Sequence, residues 1–161
     1  MRNLFLAALV ASPAAAFADV TISHGYSAFG DLKYGPDFAH FDYANPDAPQ
    51  GGTISQRQLF GTPTFDSLNT WIIKGDSAPE GSIHMFDTLM VDAHDEPDAM
   101  YGLIAETIEY PEDLSYIAFN LRPKALFHDG EAVEASDVVF TINALKEDGH
   151  PYYRNLLASV E

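Results

Sequence analysis

Ser77 is the residue whose neighbours in this sequence best suit covalent chemistry. It sits in the turn Gly75-Asp76-Ser77-Ala78, shortly after the apolar run Trp71-Ile72-Ile73. A serine hydroxyl is a weak nucleophile and needs a His base, itself oriented by a carboxylate. The six His residues, at 24, 40, 84, 94, 128 and 150, also raise metal binding. None is paired as His-x-x-x-His, and no His-Glu-x-x-His occurs. Asp92, Asp95, Glu96 and Asp98 crowd one turn, but the sixth position counted from Asp92 is Pro97, where an EF-hand loop needs Gly. The acids read as solvated turn residues and the His as scattered surface residues, so no metal is expected. His128-Asp129 reads as a structural turn, because neighbours on a tight turn point apart. Neither Gly-x-x-x-x-Gly-Lys-Ser/Thr nor Gly-x-Gly-x-x-Gly is present, and no cofactor is expected. A gentler chemistry suits the same loop. In Lys74-Gly75-Asp76-Ser77-Ala78-Pro79-Glu80-Gly81 the glycines let backbone amides come close to a ligand.

The elements that must carry this loop are readable in part. Gly51-Gly52 opens an expected strand from Thr53 to Leu59, and Phe65-Asp66-Ser67-Leu68-Asn69 is a polar loop with two apolar anchors. Trp71-Ile72-Ile73 reads as a short buried run, and His84 to Val91 as a helix with Met85, Leu89 and Phe86 inward. Glu106 to Tyr110 reads as a strand, followed by turn residues Pro111-Glu112-Asp113. Tyr116 to Leu121 alternates, placing Ile117, Phe119 and Leu121 on one face. After the turn His128-Asp129-Gly130, Val138, Val139, Ile142 and Leu145 fall at helical spacing from Asp137 onward, and Gly149-Pro151 ends that helix. A further segment begins at Tyr152. Before all of this, residues 19–52 are rich in aromatics (Tyr26, Phe29, Tyr34, Phe38, Phe41, Tyr43) and interrupted by Pro36, Pro46 and Pro49. They predict an extended arm laid across a domain surface with its rings buried, with a sugar-stacking platform as the functional alternative.

The 161 residues carry a formal charge of −16 and are 47% hydrophobic, enough for a core. The charge argues against nucleic acid and against anionic membrane surfaces. Met1-Arg2-Asn3, the apolar Leu4 to Ala11 and the small-x-small Ala16-Phe17-Ala18 read as a signal peptide over 1–18, with the mature chain beginning at Asp19. Taking Arg2 from the 8 Lys and Arg leaves 7 against 24 Asp and Glu, or −17. With no Cys there is no disulfide and no thiol for a lipid anchor. In a bacterium with an outer membrane this implies the periplasm.

The Gly-Asp-Ser turn resembles the nucleophile block of the GDSL-type esterases. That family carries its Asp-x-x-His late in the chain. Here the spacing occurs at Asp37 and His40, upstream of Ser77 and in the wrong order, and Pro79 stands where a helix should start. A secreted GDSL-like serine esterase using Ser77 is therefore the alternative reading.

A broader resemblance lies in four ordered blocks: Leu103-Ile104-Ala105-Glu106, Phe119-Asn120-Leu121-Arg122, Phe127-His128-Asp129-Gly130 and Ala135-Ser136-Asp137-Val138-Val139-Phe140. Together with Phe65-Asp66-Ser67-Leu68-Asn69 and Phe86-Asp87-Thr88-Leu89-Met90, they resemble the family 5 solute-binding proteins, the peptide-binding subunits of ABC importers. His24 to Gly30 and Phe41 to Gly52 look like the Yej-type peptide and microcin C subgroup. One departure is Glu134-Ala135-Ser136-Asp137, where the family has Thr-Ala-Glu-Asp. The helix cap is expected to be weaker or to move to Ser136.

The resemblance implies a mixed α/β (α+β) fold of the periplasmic-binding-protein type II kind, which closes on a peptide like a hinge. Family members are much longer, so residues 53–161 would supply only part of lobe I, behind an arm over 19–52. It implies that Lys74, Gly75 and Asp76, with Ser77 beside them, touch the backbone of a bound oligopeptide, with no covalent chemistry and no enzymatic activity. It also implies ABC permease subunits in the inner membrane, backed by a cytoplasmic ATPase, as partners, and a monomer at full length.

Overall fold

The computed structural model describes residues 19–53, 55, 64–78 and 84–157. The signal-like segment 1–18 and most of the expected strand Thr53–Leu59 lie outside them. The strands are β1 (Val20–Ser23), β2 (Gly25–Ser27), β3 (Met90–Asp92), β4 (Ala99–Gly102), β5 (Ala105–Pro111) and β6 (Ala118–Leu121). The helices are α1 (Ala135–Glu147) and α2 (Pro151–Leu156). The architecture is mixed α/β. Two antiparallel sheets form, ordered β1-β5-β6 and β2-β4-β3.

The sheets meet at a corner where two strand pairs change sheet together. His24 alone separates β1 from β2, and Leu103-Ile104 separate β4 from β5. The Gly102 N–H donates to the His24 carbonyl across the corner at 2.9 Å. A Cβ on Gly102 would lie 2.4 Å from the Ala105 carbonyl oxygen, so only glycine permits this backbone approach. Strand alternation then fills the interior. Ala99 and Tyr101 of β4 point inward while Met100 faces out, and Ala105 and Ile108 of β5 are also buried.

Near its start the expected arm forms strands, β1 and β2, because their backbone groups pair with β5 and β4 (Val20 opposite Pro111, Tyr26 opposite Met100). The remainder is a looped segment packed around Tyr101, which is completely buried. Tyr34, Phe38 and Phe41 all meet its ring, at centroid distances of 5.6, 5.2 and 5.7 Å. Burial does not extend to every ring. Phe29 stands 78% exposed, and Tyr43 stacks on the outside of Phe41 at 5.2 Å.

The acidic turn is not merely solvated, as its composition predicts. It fastens the arm. Asp95 accepts from Lys33 Nζ at 2.6 Å and from the Tyr34 hydroxyl at 2.5 Å. Glu96 accepts from the Lys33 backbone N–H at 2.8 Å and from the Tyr101 hydroxyl at 2.6 Å. Asp42 completes the clasp with a 2.8 Å ion pair to Lys33. Hydrogen bonds donated to Asp42 and then to Asp95 hold the Lys33 ammonium well above its usual pKa, and the bonds from Lys33 and Tyr34 lower that of Asp95. Burial, with the Glu96 hydrogen bond second, raises the Tyr101 phenol to about 12.

Three further expectations change. The helix expected over His84–Val91 is helical at His84 and Met85, but Met90–Asp92 is strand. There the Thr88 and Leu89 carbonyls accept N–H groups from Ile104, Leu103 and Ala105, and cross-strand pairing replaces a helical ladder. Trp71 and Ile73 are exposed rather than buried; the Trp71 ring rests against Phe86, centroids 4.9 Å apart. The α1 cap is at Glu134, not Ser136: the Asp137 carboxylate accepts the Glu134 N–H at 2.8 Å, one arm of a capping box.

The hairpin β5–β6, the Gly130 turn (φ 91°) and α1 itself follow the sequence pattern. Gly149 returns its N–H to the Leu145 carbonyl at 3.1 Å, and Pro151 opens α2. Arg154 of α2 donates to the carbonyls of Lys146 and Glu147, placing a cation at the negative end of α1. Yet α1 does not close onto the sheet. Val138, Val139 and Ile142 face Ile117 and Phe119 across an apolar groove of about 1010 Å³.

Candidate functional site

The loop from Thr64 to Ala78 is built by a repeated dipeptide. Asp-Ser occurs at 66–67 and again at 76–77, and Ser67 and Ser77 form a parallel bridge. The Asp66 N–H donates to the Asp76 carbonyl and the Ala78 N–H to the Ser67 carbonyl, both at 2.8 Å. The Asp66 carboxylate accepts the Asp76 N–H at 2.8 Å, and the Thr64 hydroxyl reaches Asp66 at 3.1 Å and Asp76 at 2.7 Å. At the tip Gly75 adopts φ +88°, and a Cβ there would lie 2.8 Å from the Asp66 carboxylate. Only glycine fits both the dihedral and the space.

The four residues singled out from sequence therefore divide by role. Lys74 and Gly75 are exposed at the tip, whereas Asp76 and Ser77 are half-buried where the loop closes. Both the Asp76 amide and its carboxylate hold the loop together, which sequence reasoning missed, as it missed Thr64 and Asp66. The recurrence of Asp-Ser ten residues apart was the available signal. Beneath the loop, the Ser67 hydroxyl accepts the Asn69 N–H and the Asn69 side chain accepts the Trp71 N–H. These turns present Trp71 to Phe86. The tip therefore bears one ammonium, from Lys74, beside exposed backbone at Gly75.

No esterase arrangement gains support. The upstream His40 gives its Nδ1–H to the Phe41 carbonyl at 2.9 Å, and His24 gives its Nε2–H to the Tyr34 carbonyl at 2.8 Å. His150 caps α2 by accepting the Tyr152 N–H. Among the described residues no group of three or more His, Cys, Asp or Glu is arranged to hold a metal ion. Nor is any described helix long and apolar enough to cross a membrane.

Residues 99–161 match the family described as "Bacterial extracellular solute-binding proteins, family 5 Middle". The chain is similar to the "Peptidoglycan-binding protein YepA" of Agrobacterium fabrum, 41% identical over 144 residues, covering 85% of this chain and 23% of that protein. It is also similar to the "Probable peptide-binding protein YejA" of the same organism, at 40% over 153 residues, covering 91% of this chain and 24% of the relative. A "Putative binding protein" of Brucella melitensis is 33% identical over 172 residues, covering 99% of this chain and 28% of its own length. The chain thus spans about a quarter of the length of the curated relatives it matches. Its ordered blocks, its mixed α/β architecture and these matches agree: the chain belongs to family 5 of the bacterial extracellular solute-binding proteins.

Proposed function

We propose that this chain forms part of lobe I of a periplasmic peptide-binding protein, over 53–161 with the arm 19–52 against it, which hands its ligand to an ABC importer. The observation that carries this reading is the 40–41% identity to two relatives, one named for peptide binding and one for peptidoglycan binding. The peptide runs extended past Lys74-Gly75-Asp76-Ser77, with hydrogen bonds to the loop backbone supplying affinity and water filling the side-chain pockets. Lys74 is placed to meet a ligand carbonyl or carboxylate, and the Asp66–Asp76 clamp keeps the tip rigid, which limits the ordering cost of binding. The segment 1–18 directs export, the protein works as a monomer at full length, and its partners are the permease in the inner membrane and the ATPase behind it. The loop binds and does not catalyse.

Calorimetric titration with a mixed pool of short peptides and murein fragments tests this. Saturable heat that weakens in Lys74→Met is expected. No heat with any member of the pool, or ester hydrolysis that disappears in Ser77→Ala, would overturn it.

A further inference from the structure

Residues 84–87 and 122–128 face each other across a second groove, of about 630 Å³. Its lining is unlike the rest of the molecule. The whole chain has 24 acidic residues against 8 Lys and Arg, and the larger groove beside α1 has no charged residue in its lining. This groove carries Arg122, Lys124, His84 and His128 against a single acid, Asp87. We propose that it is a carboxylate-binding subsite, which takes the C-terminal carboxylate or an acidic side chain of the ligand. The proposal deepens the peptide-binding reading and rests on it.

Three observations carry it. First, the guanidinium is fixed in place. Arg122 Nε donates to the Leu103 carbonyl at 2.8 Å and Nη2 to the Gly102 carbonyl at 3.4 Å, both at the corner between the sheets. With its Nε–Nη2 edge held by these carbonyls, the guanidinium is pre-organised to meet a carboxylate through its remaining N–H groups, because little rotamer freedom remains to be lost. Second, in a chain of charge −16 a carboxylate is favoured where basic groups gather, because charges farther off than a Debye length of about 8 Å are largely screened and the local ones dominate. Third, the groove borders the candidate loop. Phe86 lines the groove and packs on Trp71, which lies three residues before Lys74. Phe127 and Leu126 add apolar walls, and low-dielectric walls strengthen a charge-assisted contact. The loop would then hold the peptide backbone while the groove selects for negative charge.

The test is calorimetry with two probes, the tripeptide Ala-Glu-Ala with a free C-terminus and Ala-Gln-Ala amidated at its C-terminus; Ala-Gln-Ala with a free C-terminus then tells the terminal carboxylate from the acidic side chain as its source. At low salt the acidic probe should bind at least about tenfold more tightly, the usual scale for a charge-assisted pair. Half-molar NaCl should shrink that advantage severalfold. Lys124→Met should remove most of the discrimination between the two probes. Arg122→Lys, which keeps the charge but not the fork, should reduce it, with thermal melts confirming that both variants fold. Equal affinity for the probes at low salt, or undiminished discrimination in folded Lys124→Met, would overturn the subsite and leave the peptide-binding reading standing. Failure of both probes and of the wider peptide pool would overturn the two together.

Discussion

Tyr101 and Tyr34 hold the arm to the sheet through both ring and hydroxyl. Their rings meet edge to face at 5.6 Å, and the Tyr101 oxygen accepts the Tyr34 N–H at 3.1 Å while donating to Glu96 at 2.6 Å. Tyr101 is therefore a core aromatic and a polar junction at once, with no exposed surface.

Tyr101→Phe separates these two functions. The ring contacts stay, but the Tyr34 N–H and the Glu96 carboxylate lose a shared partner. The expected cost is about 1–3 kcal/mol, read from urea unfolding. A loss below a few tenths of a kcal/mol would mean that ring packing alone secures the arm.

The Lys33 clasp should make the arm acid-sensitive. Asp95 has its pKa lowered in the folded state by hydrogen bonds from Lys33 and Tyr34. Its contribution is present above the unfolded carboxylate value of about 4. It is lost as pH falls through the lower folded value. Thermal melts from neutral to acid pH should show this decline in the wild type and a shallower one in Lys33→Met. Parallel profiles would remove the clasp from the account.

The alkaline side has the opposite sign. The Tyr101 pKa is raised to about 12 in the folded protein, chiefly by burial. Unfolded tyrosine ionises near about 10, so stability holds below that pH and falls as pH climbs toward the folded value. Tyr34 and Tyr116 are raised as well, so absorbance at the phenolate band should show a late-titrating component that shrinks in Tyr101→Phe.

Gly75→Ala probes the candidate loop. A side chain at φ +88° and 2.8 Å from the Asp66 carboxylate strains the tip. The variant should lose about 1–2 kcal/mol, as a non-glycine residue forced into left-handed backbone does. Peptide affinity should fall with it. Unchanged affinity in a folded variant would move the backbone contact elsewhere in the chain.

Much of the chain could be read locally. The β5–β6 hairpin, the Gly130 turn and α1 with its Gly149-Pro151 ending depend on turn residues and periodicities that act within a few positions. The same reasoning missed β1 and β2. Edge strands this short show little alternation and form only because β5 and β4 accept them. It mistook Met90 and Val91 for the end of a helix for a similar reason, since a three-residue strand is fixed by its partner. At the candidate loop the four residues were contiguous and visible, but the clamp from Thr64 and Asp66 was not, because the recurrence of Asp-Ser carries a pairing only once the fold brings its two copies side by side.

Local order and family membership were thus determined by the sequence itself, through ordered blocks whose residue types serve caps, turns and strands. The tertiary structure alone decided which acids are structural. Asp95 and Glu96 look like any solvated turn, and they become a fastening only because the fold brings Lys33, some sixty residues earlier, within hydrogen-bond distance. It also decided that Arg122, Lys124, His84 and His128 share one groove. Charge in a sequence is a sum, whereas a binding surface depends on where the chain's path places each charge, and that path is set by long-range backbone pairing.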